Sequence, residues 1–341
     1  MNSRIVTFGE IMLRLNPEGY LRLTQAEKLE ASYAGGEANV AVSLANYGMD
    51  VAFVSKVPMN EIGQSAINAM RRFGVDTQFV LRGGDRLGVY YVEKGASQRA
   101  SRVIYDRARS AVACSKVEEY DWDTIMDGAG WFHWTGITPA LGGDLPEICL
   151  AACRAAQAHG VKISCDLNYR EKLWTRKKAC EVMSKLMRYV DICIANEEDV
   201  KDIFGIEAEN TDIMAGKLNY EGYTSIAKQI CERFGCETTA ITLRSSLSAT
   251  DNDWAALLFT GGKAYFSPTY RIHIVDRIGG GDSFGGGLIY ALMTGKDPQA
   301  AVEFAVAASC LKHTIEHDFN LVSVAEVESL CGGNTTGRVQ R

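Results

Sequence analysis

Short apolar runs alternate with helical patterns along almost the whole chain. Each run is bounded by residues that break regular structure, as buried strands are. Strands that alternate with helices are typical of parallel βαβ units covered by helices on both faces. The pattern therefore predicts an α/β fold with a mostly parallel central sheet. The predicted strands are Ile5–Phe8, Val51–Val57, Trp131–Thr135, Val161–Leu167, Asp191–Ala195, Thr239–Leu243 and Arg271–Val275.

The segments between these runs carry helical signals. Ala66, Ala69, Met70 and Phe73 recur at the spacing of one helix face, so we expect this stripe to pack on the sheet. Several predicted helices are followed by a glycine, at the position where a left-handed residue closes the last turn. These glycines are Gly48, Gly74, Gly160, Gly205, Gly235 and Gly295.

Two segments depart from this rhythm. Polar and apolar residues alternate from Ile11 to Tyr33, and polar and aromatic residues alternate from Leu87 to Arg107, which predicts strands outside the main sheet. If they pair, they form a small, partly exposed sheet that could act as a lid over the carboxyl ends of the main strands. A further hairpin is predicted around Gly261 and Gly262, because two-residue turns favour glycine.

Composition and charge exclude several classes of function. The 341 residues carry 36 basic and 42 acidic side chains and no long run of Lys or Arg, so nucleic acid is not an expected partner. No stretch approaches the roughly 18 apolar residues of a membrane span. The first residues lack the apolar core of a signal peptide. We therefore expect a cytoplasmic protein without a membrane or nucleic-acid partner.

The ten cysteines do not form a recognisable metal or redox motif. No Cys-x-x-Cys occurs, and the closest pairs, Cys149/Cys153 and Cys231/Cys236, have the spacing of neither a zinc ribbon nor a redox dithiol. Several lie inside apolar runs. We interpret them as reduced packing residues.

The strongest chemical signal is a glycine-rich turn, residues 279–282, between a predicted strand and a helix. Gly279, Gly280 and Gly281 would leave backbone N–H groups free to converge on an anion at the helix N-terminus. The Asp282 carboxylate would stand beside that anion, where it can take a proton from an attacking hydroxyl. The same residues would also suit a tight turn with Asp282 as a helix cap.

Other motifs fit less well. The dinucleotide-binding spacing of glycines fails at Phe284, and no Gly-Lys pair is followed by the Ser or Thr of a phosphate-binding loop. His313, Glu316 and His317 match a His-x-x-Glu-His zinc motif, but few residues follow to supply a further ligand. Metalloprotease chemistry is a minor alternative.

Two separated motifs resemble the PfkB carbohydrate kinases, also called the ribokinase family. Asp276-Arg-Ile-Gly-Gly-Gly-Asp282 resembles the family's Asp-Thr-x-Gly-Ala-Gly-Asp, and Gly35-Gly36-Glu-Ala-Asn39 resembles its N-terminal signature. The resemblance spans about residues 1–330 and is closest to 2-keto-3-deoxygluconate kinases. That subfamily resemblance is carried by Phe8–Leu15, Tyr105–Arg107, Asp166–Arg170 with Trp174, and Asp318–Val322.

This resemblance implies the architecture and the reaction. One ribokinase-like three-layer α/β/α domain would span 1–330, with lid segments at about 11–34 and 86–112 and a polar tail at 331–341. The lid often forms a dimer contact in the family, so a homo-oligomer, dimer or higher, is expected. The implied reaction uses ATP and Mg²⁺, and in some members a monovalent cation, to phosphorylate the terminal hydroxyl of 2-keto-3-deoxygluconate.

The resemblance also implies roles for individual residues. Asp282 matches the catalytic base, and the backbone donors of Gly279, Gly280 and Gly281 match those that stabilise the transferred phosphoryl group. The positions that match the acceptor site are Gly35, Gly36, Asn39, Tyr90, Tyr105, Arg107, Arg170 and Asp318, of which the arginines would meet a carboxylate. The positions that match the nucleotide site are Asn196, Thr242, Arg244, Gly279 and Gly281, with Asp199 as a magnesium ligand.

Several positions depart from the family pattern. Asp199 replaces Glu, Gly280 replaces Ala, and Arg277 replaces Thr. Arg277 would add positive charge near the phosphates, point into solvent or pair with Asp276. The departures also include Arg244 and the segment 312–317, where relatives carry Pro-Gly. These departures permit a catalytically silent sugar-binding regulatory protein as one alternative. Within the enzyme class, the alternative is a kinase of a neutral sugar such as fructose.

Overall fold

A computed structural model describes residues 4–207 and 220–334 of the chain. Residues 335–341 of the predicted polar tail lie outside the described residues. No helix in the described part is long and apolar enough to cross a bilayer.

The strands of the described residues form two sheets. Their bounds are β1 (Arg4–Phe8), β2 (Met12–Asn16), β3 (Glu30–Ala34), β4 (Val51–Val57), β5 (Val80–Arg82), β6 (Gly88–Glu93), β7 (Arg102–Asp106), β8 (Ala129–Thr135), β9 (Lys162–Asp166), β10 (Ile192–Asn196), β11 (Thr238–Ser246), β12 (Asp251–Thr260), β13 (Lys263–Phe266) and β14 (Tyr270–His273). The main sheet has the order β13-β12-β11-β10-β9-β8-β1-β4-β5, with β14 paired to β12. Neighbours from β11 to β5 run parallel. The predicted α/β class and mostly parallel sheet are confirmed.

Helices cover both faces of the main sheet. Their bounds are α1 (Gly36–Asn46), α2 (Glu61–Arg72), α3 (Trp122–Met126), α4 (Ile137–Ala140), α5 (Leu145–Ala158), α6 (Arg176–Leu186), α7 (Glu197–Phe204), α8 (Tyr220–Phe234), α9 (Gly280–Met293), α10 (Pro298–Lys312) and α11 (Val324–Cys331). Successive residues of a strand pack on opposite faces of the main sheet. Phe132 packs in the core with α5, whereas Trp131 packs in the core with α1 and α9. Such strands, buried on both faces, read as continuous apolar runs.

The local signals in the sequence are confirmed. All six helix-ending glycines adopt left-handed backbone conformations, with φ between +67° and +82°. Ala66 and Met70 of the predicted stripe are fully buried on α2. Gly261 and Gly262 join β12 to β13 with φ values of +56° and +76°. All ten cysteines are free thiols and six of them are buried, as expected of packing residues, but Cys114 is exposed, so the prediction of a packing role is wrong there.

The prediction for Arg271–Val275 is wrong in part. The strand there, β14, ends at His273 and runs antiparallel to β12, so it does not lead directly into the glycine-rich turn. Ile272 faces the core, while Arg271 is exposed and pairs with Asp253 at 2.5 Å. This alternation belongs to an antiparallel strand with one solvated face, not to a buried parallel one.

The lid sheet, consisting of β2, β3, β6 and β7, is confirmed. Its order is β3-β2-β6-β7, and β2 pairs with β6 in parallel. Only Gly9, Glu10 and Ile11 separate β1 of the main sheet from β2 of the lid sheet. The lid sheet therefore begins at the carboxyl edge of the main sheet, where open α/β sheets bind ligands.

Candidate active site

One cavity of about 520 Å³ lies between the carboxyl ends of the main strands, the lid sheet and the glycine-rich turn. Every site residue predicted from the sequence lines it. The lining includes Gly35, Gly36, Asn39, Tyr90, Tyr105, Arg107, Arg170, Asn196, Asp199, Thr242, Arg244, Gly279, Gly280, Gly281, Asp282 and Asp318. The fold thus brings together residues that are dispersed over almost 300 positions of sequence.

The glycine-rich turn opens α9 toward this cavity. Gly279 has φ +83°, and a Cβ atom there would lie 2.1 Å from the carbonyl oxygen of Asp318, so only glycine fits. The N–H groups of Gly281 and Asp282 donate to no backbone group in the described chain. Unpaired amides at the N-terminus of a helix of this length form an anion-binding site.

Asp282 lies in the first turn of α9 and is held by α1. The side-chain amide of Asn39 donates to Asp282 Oδ2 at 2.6 Å, and a Cβ on Gly36 would lie 3.7 Å from Asp282 Oδ1. Burial raises the pKa of Asp282 to about 7. A carboxyl that changes charge near neutral pH, next to an anion site, is suited to accept a proton during phosphoryl transfer.

The close packing of α1 on α9 sets this geometry, and sequence reasoning missed it. A Cβ on Gly286 would lie 2.7 Å from Ser43 Cβ, so glycine is required for the observed separation of the two helices. The repeated glycines after Asp282 were the available signal. They allow the two helix N-termini to meet at one point.

One side of the cavity is built on the lid sheet. The rings of Tyr90 and Tyr105 stack with centroids 5.9 Å apart, and the Arg107 guanidinium lies 5.3 Å from the Tyr105 ring centre. Arg107 is buried, and its Nε donates to Glu10 Oε2 at 2.8 Å. Arg107 therefore belongs to an ion pair and also lines the cavity.

Arg170 and Glu10 also form part of the cavity wall. Arg170 follows β9 and lines the cavity; its Nη1 donates to the carbonyl of Tyr169 at 2.9 Å. It forms no ion pair within the described part of the chain. Glu10, which the sequence did not single out as a site residue, follows β1 and lines the cavity as well.

Asp318 is bound on both carboxylate oxygens. Arg14 Nη1 lies 2.5 Å from Oδ1, and the Tyr90 hydroxyl donates to Oδ2 at 2.7 Å. The other arm of Arg14 pairs with Asp276 at 2.5 Å. Of the options for Arg277, the pair with Asp276 is therefore wrong, since Arg14 takes that carboxylate.

The opposite end of the cavity carries two arginines near each other. Arg277 donates to the carbonyl of Ala249 at 3.2 Å. Burial and the positive charge of nearby Arg244 lower the pKa of Arg277. Neither arginine is paired with a carboxylate among the described residues, so this end of the cavity suits an anion.

Carboxylates face this anion site from the sheet. The Asn196 side chain caps α7 by accepting from the Asp199 amide at 2.8 Å, and burial raises the pKa of Asp199 to about 7. Burial and the charges of Asp199 and Asp282 raise the pKa of Asp166 well above its usual range. A bound cation would relieve this repulsion. The described residues contain no group of three or more candidate metal ligands.

The zinc-protease alternative is not supported. His313 Nδ1 donates to the carbonyl of Ser309 at 2.6 Å, and Glu316 is paired with Lys94, the residue that follows β6. The His313 ring lies against the glycine-rich turn, where a Cβ on Gly280 would be 2.4 Å from Cε1. No metal-binding cluster is found in the described chain.

Known proteins share this sequence and architecture. Residues 2–316 match the model of the pfkB family carbohydrate kinases. The chain is 32% identical over 337 residues to a 2-dehydro-3-deoxygalactonokinase of Haloferax volcanii, covering 99% of both. A crystal structure of 2-dehydro-3-deoxygluconokinase from Thermotoga maritima is 50% identical, with a TM-score of 0.94 over 98% of this chain and 99% of that one. A putative 2-keto-3-deoxygluconate kinase from Enterococcus faecalis is 28% identical, with a TM-score of 0.91 over 99% of both chains.

The resemblance seen in two short motifs thus extends over the chain, in sequence and in fold. The anion-binding turn, the neighbouring carboxyl and the lid sheet occur in the order and arrangement that the motifs imply. The chain is an ATP-dependent carbohydrate kinase and belongs to the pfkB family.

Proposed function

We propose that the protein transfers the γ-phosphoryl group of ATP to the terminal hydroxyl of 2-keto-3-deoxygluconate, also called 2-dehydro-3-deoxygluconate. The observation that carries the proposal is the cavity itself. Asp282, the unpaired amides of the glycine-rich turn and two arginines, Arg107 and Arg170, all line it. A neutral sugar would not require those arginines, whereas a carboxylate favours them. The names of the relatives from Thermotoga maritima and Enterococcus faecalis support the same acceptor.

In this proposal Asp282 is the base. Its Oδ2 is fixed by Asn39, and Oδ1 lies on the Gly36 side of the carboxyl, where it can accept the proton of the acceptor hydroxyl. The hydroxyl oxygen forms a bond to the γ-phosphorus as the bond from that phosphorus to ADP breaks. The amides of Gly281 and Asp282 stabilise the charge on the transferring group.

The acceptor would lie between the α1 N-terminus and the lid sheet. Arg107 Nε and Nη2 are taken by Glu10, which leaves Nη1 for the acceptor carboxylate. Tyr90 and Tyr105 form an aromatic wall beside it. Gly35 is glycine because a Cβ would lie 1.8 Å from the Glu10 carbonyl oxygen, so the chain passes close to this wall.

The nucleotide would occupy the other end. Arg244, Arg277 and Thr242 line it, together with Asn196. Asp199, with Asp166 beside it, would hold Mg²⁺, which neutralises phosphate charge when bound. A monovalent cation, a homo-oligomeric state and a cytoplasmic location stay predictions from the family resemblance.

The acceptor is tested by ADP release with ATP and Mg²⁺ against a panel of sugars. The panel contains 2-keto-3-deoxygluconate, 2-keto-3-deoxygalactonate, gluconate, fructose and ribose. The 2-keto-3-deoxygalactonate is included because the Haloferax volcanii relative is named for that epimer. An Asp282→Asn protein serves as the control for background hydrolysis.

We expect turnover with the keto acids and none above background with fructose or ribose. Turnover with neutral sugars alone would contradict the proposal and favour the neutral-sugar kinase. Binding of the keto acids without any turnover would favour the regulatory protein.

A further inference from the structure

Arg14 links the lid sheet to the glycine-rich turn. It lies on β2, and its side chain has no exposed surface. Its two terminal nitrogens pair with Asp276 and Asp318 at 2.5 Å each, and its Nε donates to Asn16 at 3.2 Å. All the nitrogens of this guanidinium are therefore bound to side chains inside the protein.

Both acidic partners of Arg14 shape the turn. Asp276 Oδ1 accepts the amide of Ile278 at 3.1 Å, in the segment that leads into the glycines. The backbone of Asp318 packs on Gly279 so closely that a Cβ there would lie 3.1 Å from Asp318 Cα. A displacement of Arg14 would therefore move both supports of the turn.

The same network reaches the acceptor side of the cavity. The Tyr90 hydroxyl donates to Asp318 Oδ2, and the Tyr90 ring stacks on Tyr105. Both tyrosines belong to the lid sheet and line the cavity. Lys94, the residue that follows β6, forms an ion pair with Glu316, which lies in the same loop as Asp318.

A second buried cation holds the turn without touching the lid sheet. Lys312, at the end of α10, donates to the carbonyls of His317 at 2.6 Å and Asp276 at 3.3 Å. The main chain around the turn therefore has its own support from the body of the protein. Arg14 contributes the connection to the lid sheet.

We propose that Arg14 is a positioning residue that couples the acceptor site to the anion-binding turn. An acceptor that orders Tyr90 and the lid sheet also fixes Asp318 and Asp276 through Arg14, and so prepares the turn for the nucleotide phosphates. Because coupling between two binding sites is reciprocal, each substrate tightens the binding of the other. This inference rests on the proposed function, since it takes the lid sheet as the acceptor site.

The coupling is measured by calorimetry. The dissociation constant of a non-hydrolysable ATP analogue with Mg²⁺ is determined with and without saturating 2-keto-3-deoxygluconate. Four proteins are compared: wild type, Arg14→Lys, Tyr90→Phe and the control Arg99→Lys. Arg99 lies in the lid segment and pairs with Glu93 at 3.2 Å, outside the cavity lining.

For the wild type and Arg99→Lys we expect the acceptor to tighten nucleotide binding about fivefold or more, the range typical of coupled sites. Lysine at position 14 keeps one positive charge but cannot bridge both carboxylates, so the effect should fall to about twofold or less. In Arg14→Lys, the fold decrease in kcat should exceed the fold increase in the KM for ATP and in the KM for the acceptor. Tyr90→Phe removes one hydroxyl and leaves no buried charge unpaired, so it tests the link even if Arg14→Lys fails to fold.

Three outcomes would overturn the inference, and the third is distinguishable from the first two. If the acceptor binds the wild type without tightening nucleotide binding, the coupling by Arg14 is overturned and the proposed function stands. The same holds if the folded variants show the full coupling of the wild type. Failure of 2-keto-3-deoxygluconate to bind the wild type would overturn the proposed acceptor and this inference with it.

Discussion

Asn39 on α1 donates its side-chain amide to Asp282 on α9 at 2.6 Å, although the two residues are 243 positions apart in sequence. The contact is possible because Gly286 lets the two helices pack closely at Ser43. It fixes one oxygen of the carboxylate and leaves the other free on the acceptor side. Three of our predictions follow from this geometry.

The activity of the wild type should depend on the charge of Asp282. Burial raises its pKa to about 7, and only the ionised carboxylate can take the proton of the acceptor. We expect kcat/KM for the acceptor to rise about tenfold per pH unit below pH 7 and to level off above it. A steady-state pH profile measures this, and a flat profile between pH 5 and 8 would contradict it.

Removal of the Asn39 amide should shift that profile to higher pH. The hydrogen bond favours the charged carboxylate, so Asn39→Ala should raise the pKa of Asp282 by about one unit. Asn46→Ala is the matched control, since Asn46 lies on the same helix and donates to the carbonyl of Val322 instead. Equal profiles for the two variants would argue against the role of Asn39.

Asp282 should also destabilise the ligand-free protein at neutral pH. The pKa of Asp282 is about 7 in the folded protein, above its ordinary value of 3.8. The contribution of this carboxyl to the free energy of unfolding is therefore fully present below about pH 4 and is lost progressively as the pH rises to 7. Asp282→Asn removes this cost, which is on the order of 1–2 kcal/mol for a partly solvated group. We expect a melting temperature about 2 °C higher than that of the wild type at pH 8 and a smaller difference toward pH 4. A variant that melts lower at pH 8 would contradict this reasoning.

Gly280 should be required because of His313 and not because of the phosphates. A Cβ at position 280 would lie 2.4 Å from the His313 ring, so Gly280→Ala should destabilise the protein by about 1–3 kcal/mol and distort the turn. The double variant Gly280→Ala/His313→Gly should recover much of the loss, because the two positions share one space. Thermal unfolding and kcat of both single variants and the double variant measure the coupling. If the effects of the two single variants simply add in the double variant, Gly280 and His313 are independent of each other and the prediction is wrong.

Arg107 should control the affinity for an acidic acceptor. The variant is made together with Glu10→Gln, so that Arg107→Met does not leave a buried carboxylate without its partner. We expect the acceptor KM to rise about 10–100-fold, as the loss of a charged hydrogen bond implies, while the KM for ATP stays within about twofold. Arg102→Met, at an exposed position of β7, is the control. An unchanged acceptor KM in the double variant would contradict the proposal that Arg107 binds the carboxylate of the acceptor.

Local features were predictable from the sequence because their causes are local. A helix that ends in a left-handed residue needs a glycine within one turn, as at Gly160 and Gly235, and a strand buried on both faces begins as a continuous apolar run, as at residues 51–54. The glycine-rich turn was identified because consecutive glycines before a helix are a local signal of free backbone amides. Family resemblance supplied the residues of the acceptor wall.

Long-range partners were not predictable. On β2 the usual rule would bury Leu13 and Leu15, but the buried side chains are Met12, Arg14 and Asn16, because the inward face of the lid sheet meets the carboxylates of the body. The sequence around Arg14 carries no signal of its partners, because Asp276 and Asp318 are 262 and 304 positions away. Glu10 was missed as a site residue for the same reason, since its partner Arg107 is 97 positions away.

The most direct test of the proposed catalysis compares the wild type with Asp282→Asn at pH 8, with ATP, Mg²⁺ and 2-keto-3-deoxygluconate. Phosphorylated product is followed by ³¹P NMR, and calorimetry shows that both proteins still bind the nucleotide analogue and the acceptor. We predict that the wild type forms a phosphate monoester at the terminal hydroxyl and that kcat of the variant is lower by a factor of about 10²–10⁴. A variant that binds both substrates and turns over at a near-normal rate would contradict the assignment of Asp282 as the base.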